Sequence, residues 1–213
     1  MVRILVIDDH AIVRKGVIRI LEESLDPRAV CDEAANARDA TRLLATENYN
    51  MVLLDISLPG VSGLDLLKDL HRDHPKVPIM ILSMHAEDQY AIRALTLGAI
   101  GYLTKESAPE DLLLAVRKVL SGGRYISAQL AERLAAHLGS SSRRGSLPHE
   151  ELSDREFEVL RLIGAGRTPT QMADELYLSV KTVSTYRSRI LLKMHLKSNA
   201  ELMSYALKNN LSD

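Results

Sequence analysis

Five polar side chains stand where apolar runs of strand length come to a stop. Asp8 and Asp9 follow Ile4-Leu-Val-Ile7, Asp55 follows Met51-Val-Leu-Leu54, Ser83 follows Ile79-Met-Ile-Leu82, and Lys105 comes two residues after Leu103. Three carboxylates brought together repel one another and demand a cation. All-oxygen ligands suit Mg²⁺, which keeps several waters and takes only one or two carboxylates. Such an ion can bridge to a phosphoryl oxygen. Asp55 can then act as a nucleophile and form an acyl phosphate. Lys105 and the ion would neutralise charge on the transferring group, and Ser83 can donate a hydrogen bond to it. Taken singly, each residue has a plainer role: a helix cap for Asp8, Asp9 or Ser83, a turn for Asp55, a solvated loop position for Lys105. Together they carry one chemistry.

That chemistry needs elements that bring the five to one place. Residues 1–121 alternate short apolar runs with amphipathic segments. Strands are expected at Arg3–Asp8, Ala29–Glu33, Met51–Leu54, Pro78–Leu82 and Ile100–Leu103, with helices near 11–24, 37–46, 63–73, 87–97 and 109–121. Five βα units in a row make a parallel sheet with helices on both faces. Right-handed crossovers then set every strand's carboxyl end on one edge. In such a sheet, with the flavodoxin-like order 2-1-3-4-5, ligands bind at the topological switch point beyond those ends. The expected fold is a doubly wound, five-stranded parallel α/β sheet.

A break at Ser121-Gly-Gly-Arg-Tyr-Ile126 precedes a short helix over Ser127–Leu138, with Leu130, Leu134 and Leu138 on one face. Gly139-Ser-Ser-Ser-Arg-Arg-Gly-Ser146 is flexible by composition. The chain therefore divides into 1–121, a linker 122–149, and 150–213. The last part has helical periodicity throughout. Ser153…Glu156, Thr168…Gln171 and Ser198…Glu201 read as capping boxes, Pro169 suits a first helical position, and Ser179 is a further N-cap. Four helices follow, near 153–164, 168–176, 179–194 and 198–208. The second and third are joined by Tyr177-Leu178, the tight connection of a small all-α helix-turn-helix domain.

Charge follows this division. Residues 177–208 carry six basic side chains against Glu201 alone. On charge alone a solvated helix face is the plainer reading; the periodicity points further. On the third helix Val180, Val183, Ile190 and Met194 form an apolar stripe. Lys181, Ser184, Thr185 and Ser188 cluster elsewhere, flanked by Arg187, Arg189 and Lys193. Such a helix fits the DNA major groove, where small polar side chains reach base edges and basic ones contact phosphates.

Val6-Ile-Asp-Asp-His10, Leu53-Leu-Asp-Ile-Ser-Leu-Pro-Gly60, Ile81-Leu-Ser83 and Gly101-Tyr-Leu-Thr-Lys105 resemble the receiver domain of bacterial two-component response regulators. The resemblance implies that Asp55 is the phosphoacceptor. It implies that Asp9, Asp55 and the backbone carbonyl of Ser57 hold Mg²⁺, with Asp8 acting largely through water. Ser83 and Tyr102 would be the switch pair, the hydroxyl moving toward the phosphate and the ring turning inward. Leu152-Ser-Asp-Arg-Glu-Phe-Glu-Val-Leu160, Gly166, Met172-Ala173, Leu178-Ser179 and Lys181-Thr-Val183 resemble the LuxR-type helix-turn-helix of the NarL/FixJ family. By that resemblance Ser184, Thr185 and Ser188 read bases, while Lys181, Thr182, Arg187, Arg189 and Lys193 contact phosphates or groove edges. Helix 198–208, with Leu202, Tyr205, Ala206 and Leu207, would support a dimer face, with simple core packing the alternative for each of these residues. Family members most often carry His at the position of Tyr186 and Gly near His195.

The expected function is a transcription regulator switched by phosphorylation of Asp55. A sensor histidine kinase donates the phosphoryl group, and the modified homodimer binds paired DNA half-sites. The expected protein is not an enzyme beyond catalysing its own phosphoryl transfer and dephosphorylation. One alternative is an aspartate-nucleophile phosphatase. It is disfavoured because Ser57 stands two residues after Asp55, where such enzymes commonly place a second acid. The other is a constitutive DNA binder with a vestigial receiver. No apolar run reaches the roughly 20 residues that cross a membrane. The start Met1-Val-Arg-Ile-Leu-Val-Ile-Asp8 turns acidic too soon for a signal peptide. A single cysteine, Cys31, excludes an internal disulfide and is expected to be a small core residue. The expected compartment is the cytoplasm. His10 and His85 are expected to line the crevice as bystanders.

Overall fold

The computed structural model describes residues 1–26, 28–84, 87–128, 130–132, 134–135, 147–209 and 211. His85, Leu138 and the segment 139–146 lie outside the described residues. The chain divides into two compact units, residues 1–137 and 138–213.

In the first unit, β1 (Val2–Ile7), β2 (Ala29–Ala34), β3 (Met51–Leu54), β4 (Ile79–Ser83) and β5 (Gly101–Thr104) form one sheet in the order 2-1-3-4-5. All four pairings are parallel. Four of the strands differ from expectation by a residue at one or both ends, and two of those differences matter. β1 stops at Ile7 because the Asp8 carbonyl accepts from Arg14 Nη1 at 2.5 Å instead of a neighbouring strand. β4 starts at Ile79 because Pro78 has no N–H to give the ladder, although its carbonyl still accepts from Val52 at 2.9 Å.

Helices α1 (Ala11–Ser24), α2 (Ala37–Thr46), α3 (Gly63–Asp73), α4 (Glu87–Thr96) and α5 (Pro109–Leu120) follow the five strands in turn. Alternation along the strands builds two apolar layers. Ile4, Val6, Met51, Leu53, Met80 and Leu82 join Val17 and Leu21 of α1 and Leu112, Ala115 and Val116 of α5 in one buried cluster. Leu5, Ile7, Val52, Leu54, Ile79 and Ile81 are equally buried and alternate with them. Cys31 is only partly buried, packed at the edge of the first cluster. Burial pushes its thiol up to about 12, so it is inert at neutral pH.

One close backbone approach borders the site, and another extends the sheet at the start of β5. The Gly63 N–H donates to the Ile56 carbonyl at 3.1 Å, and a Cβ on Gly63 would lie 2.2 Å from the Ile56 Cα. No side chain fits there, so α3 starts hard against the residue after Asp55. Beyond α5, Tyr125 runs beside β5: its N–H donates to Ile100 at 3.1 Å and its carbonyl accepts from Tyr102 at 3.3 Å.

In the second unit, a 3-10 turn (Pro148–Glu151) precedes α6 (Asp154–Gly164), α7 (Pro169–Glu175), α8 (Val180–Lys193) and α9 (Asn199–Lys208). Both sides of the capping box are made at Ser153 and at Thr168. The third expected box is only half formed: Ser198 accepts from the Glu201 N–H, but Glu201 turns its carboxylate to the Lys197 N–H at 2.7 Å. Tyr177, at φ 53, makes the left-handed bend between α7 and α8. Val183, Ile190 and Met194 are buried as expected, whereas Val180 lies 44% exposed on the first turn of α8. Among the described residues no helix is long and apolar enough to cross a membrane.

Candidate functional site

β1 and β3 are neighbours, and the chain leaves them for opposite sides of the sheet. Asp8, Asp9 and Asp55 therefore stand together at the switch point between them. The Asp55 N–H donates to the Ile7 carbonyl at 2.8 Å, which seats it directly beside the end of β1. Lys105, just past β5, reaches back across this edge. Its Nζ lies 2.7 Å from Asp8 Oδ2 and 2.7 Å from Asp55 Oδ2. Its backbone N–H is held by the Ser83 carbonyl at 2.8 Å.

Each carboxylate is placed differently. Asp55 is 1% exposed, and its Oδ1 accepts from the Ser57 N–H at 3.0 Å. Asp8 Oδ1 accepts from the His10 N–H at 2.8 Å. Asp9 Oδ1 is buried and makes no hydrogen bond; His10 Nδ1 approaches it at 2.8 Å without hydrogen-bond geometry. One oxygen or nitrogen from each of Asp8, Asp9, His10 and Asp55 lies within 4.8 Å of the others. Burial pushes the Asp55 carboxyl above the usual carboxylate range, and Lys105 and the Ser57 N–H pull it back without cancelling the effect. The same burial opposes the charge on Lys105, but the two carboxylates outweigh it and hold the ammonium above its usual range. The site is thus a largely buried, cation-braced acid cluster in which one Asp9 oxygen makes no hydrogen bond. A bare buried carboxylate oxygen among hard oxygen donors is what a small divalent ion would complete. Ser83 and Tyr102, on the neighbouring β4 and β5, are both fully buried.

On α8, Lys181, Ser184, Thr185, Ser188 and Arg189 are exposed. The Thr185 and Ser188 hydroxyls donate to the carbonyls of Lys181 and Ser184, each at 3.0 Å. Thr182 is drawn into the N-cap: its N–H donates to Ser179 Oγ at 3.0 Å, and the two hydroxyls meet at 2.7 Å. Arg187 donates through Nε to Asn199 of α9. Lys193 Nζ lies 2.6 Å from Glu156 Oε2, a carboxylate that is 2% exposed at the start of α6.

Residues 4–117 match the family described as response regulator receiver domain, and residues 150–206 match the bacterial regulatory proteins of the luxR family. The response regulator UvrY of Escherichia coli K12 is 34% identical over 211 residues, 99% of this chain and 96% of that protein. The chain belongs to the NarL/FixJ family of response regulators. The response regulator GacA of Pseudomonas aeruginosa is likewise 34% identical, over 100% of this chain and 99% of its own. Among solved structures, RcsB of Salmonella enterica serovar Typhimurium, bound to the promoter rprA with a phosphomimetic, aligns over 96% of this chain. It covers 98% of that chain, with 27% identity and a TM-score of 0.63. A LuxR-family response regulator from Aurantimonas aligns over 63% of this chain and 96% of its own, at 35% identity and a TM-score of 0.58.

In this response regulator the sheet edge brings Asp8, Asp9, Asp55 and Lys105 together, as the strand ends imply. His10 lines the crevice as expected, its Nδ1 beside Asp9. Sequence reasoning misses Arg14, whose partners are a backbone carbonyl and a distant glutamate; a lone basic residue among apolar neighbours on α1 is the available signal. Lys193 is committed within the regulator's own fold. Burial opposes the charge on Glu156, but hydrogen bonds from Lys193 and Ser153 outweigh it and hold its carboxyl below the usual range. That stabilisation is complete above the unfolded carboxyl value, near 4.3, and is lost as the pH falls through the depressed folded value. Lys193→Ala is therefore expected to cost about 1 kcal/mol at neutral pH, the exposed half of the pair being screened. The deficit should shrink below about pH 4. Thermal unfolding of the two proteins at pH 7 and pH 3.5 checks this; an equal deficit at both would remove the ion pair as its cause.

Proposed function

We propose that this transcription regulator accepts a phosphoryl group on Asp55 from a sensor histidine kinase. The modified homodimer then binds paired DNA half-sites through α8. The observation that carries this reading is the pairing of Lys105 with both Asp8 and Asp55 at 2.7 Å beside the bare Asp9 oxygen. Lys105 orients one Asp55 oxygen and the Ser57 N–H the other, so the nucleophile is held before the donor arrives. The Asp55 oxygen forms a bond to phosphorus as the bond from phosphorus to the kinase histidine nitrogen breaks, and that nitrogen keeps the electron pair. Asp9, Asp55 and the Ser57 carbonyl would hold Mg²⁺, with Asp8 acting through water; when bound, the ion offsets charge on the phosphoryl oxygens. Lys105 shares that task from the other side. The regulator's own residues would thus catalyse both uptake and later hydrolysis of the phosphate.

Ser83 and Tyr102 would form the switch pair. Receiver 1–121, linker 122–149 and DNA-binding domain 150–213 are the proposed working parts, acting in the cytoplasm. For DNA, Ser184, Thr185 and Ser188 would read bases, while Lys181, Arg187 and Arg189 would meet phosphates. Thr182 sits at the groove edge as an N-cap partner. Lys193 would contribute mainly through Glu156. Lys181→Ala is expected to weaken all DNA sequences alike and to lower the salt slope by roughly 0.9.

Incubation with an acyl-phosphate donor and Mg²⁺ tests the whole reading. The protein should gain one hydroxylamine-labile phosphoryl group by mass. DNA selected from a random pool should then be enriched in paired half-sites. A phosphorylated protein with unchanged DNA selection would reduce the receiver to a vestige.

A further inference from the structure

Arg14 is a buried cation that the phosphoryl chemistry leaves without a task. Only 8% of it is exposed. Its guanidinium makes two hydrogen bonds to different elements. Nη1 donates to the Asp8 carbonyl at 2.5 Å, and Nε donates to Glu33 Oε2 at 2.8 Å. Glu33 stands at the end of the edge strand β2, next to Ala34, whose carbonyl accepts from the Asp8 N–H at 3.1 Å.

The peptide joining Asp8 to Asp9 is therefore tied to β2 twice, once directly and once through Arg14. Every polar group of Asp8 is bonded: N–H to Ala34, carbonyl to Arg14, Oδ1 to the His10 N–H, Oδ2 to Lys105. Asp9 has the opposite character: its buried Oδ1 makes no hydrogen bond, and the exposed His10 ring stands beside it with Nδ1 at 2.8 Å. Packing of α1 does not call for a buried charge, since Val17 and Leu21 already seat the helix and an apolar side chain of similar length would fill the place.

We propose that Arg14, oriented by Glu33, is a positioning residue for the divalent cation: it locks the Asp8–Asp9 peptide so that the bare Asp9 oxygen points into the cluster. This rests on the phosphoacceptor reading of the same site. A purely electrostatic role predicts the opposite sign. Removing a positive charge near three acids would tighten cation binding, whereas loosening the peptide weakens it. Partners that orient a metal ligand typically change affinity by about 10–100-fold.

The test uses the full chain and Mn²⁺ as probe, with free ion measured by electron paramagnetic resonance. Arg14→Met and Arg14→Lys are both expected to weaken Mn²⁺ binding by roughly tenfold, and Glu33→Gln, on a half-exposed side chain, by less. Phosphorylation by a small donor should return to the wild-type rate at saturating Mg²⁺, because Arg14 acts only through the cation ligand. Unchanged or tighter Mn²⁺ binding in Arg14→Lys and Glu33→Gln overturns the proposal, as does a rate that stays low at every Mg²⁺ concentration. The Glu33 variant keeps the test open if Arg14→Met does not fold. Failure of the phosphoacceptor reading would look different: Asp55→Asn would then still be phosphorylated, whatever the Mn²⁺ affinities.

Discussion

Asparagine in place of Asp55 is expected to abolish phosphoryl uptake. The carboxamide has the same shape but no nucleophilic anion. It also meets two donors, the Ser57 N–H at 3.0 Å and Lys105 Nζ at 2.7 Å, with a single acceptor oxygen, so its NH₂ must turn toward one of them. Removing a nucleophile from a catalytic unit costs roughly 10³-fold or more in rate. The measurement is incorporation of hydroxylamine-labile phosphate from a small donor with Mg²⁺, followed by intact mass. Helical content and the thermal midpoint serve as controls for folding. A second readout is DNA binding, which should lose its dependence on the donor while the basal level stays. Incorporation at the wild-type rate would move the nucleophile to another residue.

The second large effect concerns stability. Lys105→Met should destabilise the receiver by about 3–5 kcal/mol when divalent ions are chelated, because it strands two buried carboxylates without their cation. The sign with pH follows from Asp55. Burial raises its folded value above the unfolded one near 3.9, so the folded chain holds that proton more tightly, and ionising Asp55 costs stability above the unfolded value. Lys105 limits this cost. Without it the folded value climbs further, and the deficit grows as pH rises through that wider window. Acidification should therefore narrow the gap between variant and wild type. Mg²⁺ should narrow it too, because the ion replaces the missing charge and binds without competition from the ammonium. Chemical denaturation at pH 5 and pH 8, each with chelator or with Mg²⁺, gives all four values. A deficit indifferent to both pH and Mg²⁺ would mean that lost packing, rather than stranded charge, dominates.

Features that repeat along the chain are legible in the amino-acid sequence alone. Strand and helix periods are local, so β3 and helices α1 to α3 fall where the pattern puts them. The acid cluster is legible for a topological reason: once the sheet is parallel, residues after strand ends must meet. What escapes are bonds between residues far apart in sequence. Glu156 and Lys193 are 37 positions apart, and Arg14 finds Glu33 across 19. Neither pair has a spacing rule, since each depends on how two elements happen to pack. The half-made box at Ser198 fails for the opposite reason. Two backbone N–H groups compete for one carboxylate, and the pattern Ser-x-x-Glu does not say that Lys197 wins.

Lys105 follows the last strand to be made, 50 positions after the carboxylate it braces. A nascent chain halted before that strand would carry all three acids and none of the cation that reconciles them. On the proposed mechanism, competence to accept a phosphate would arise with closure of the sheet rather than with emergence of Asp55. Timed pulses of phosphodonor during refolding would report when β5 docks, making the regulator's own chemistry a clock for its assembly.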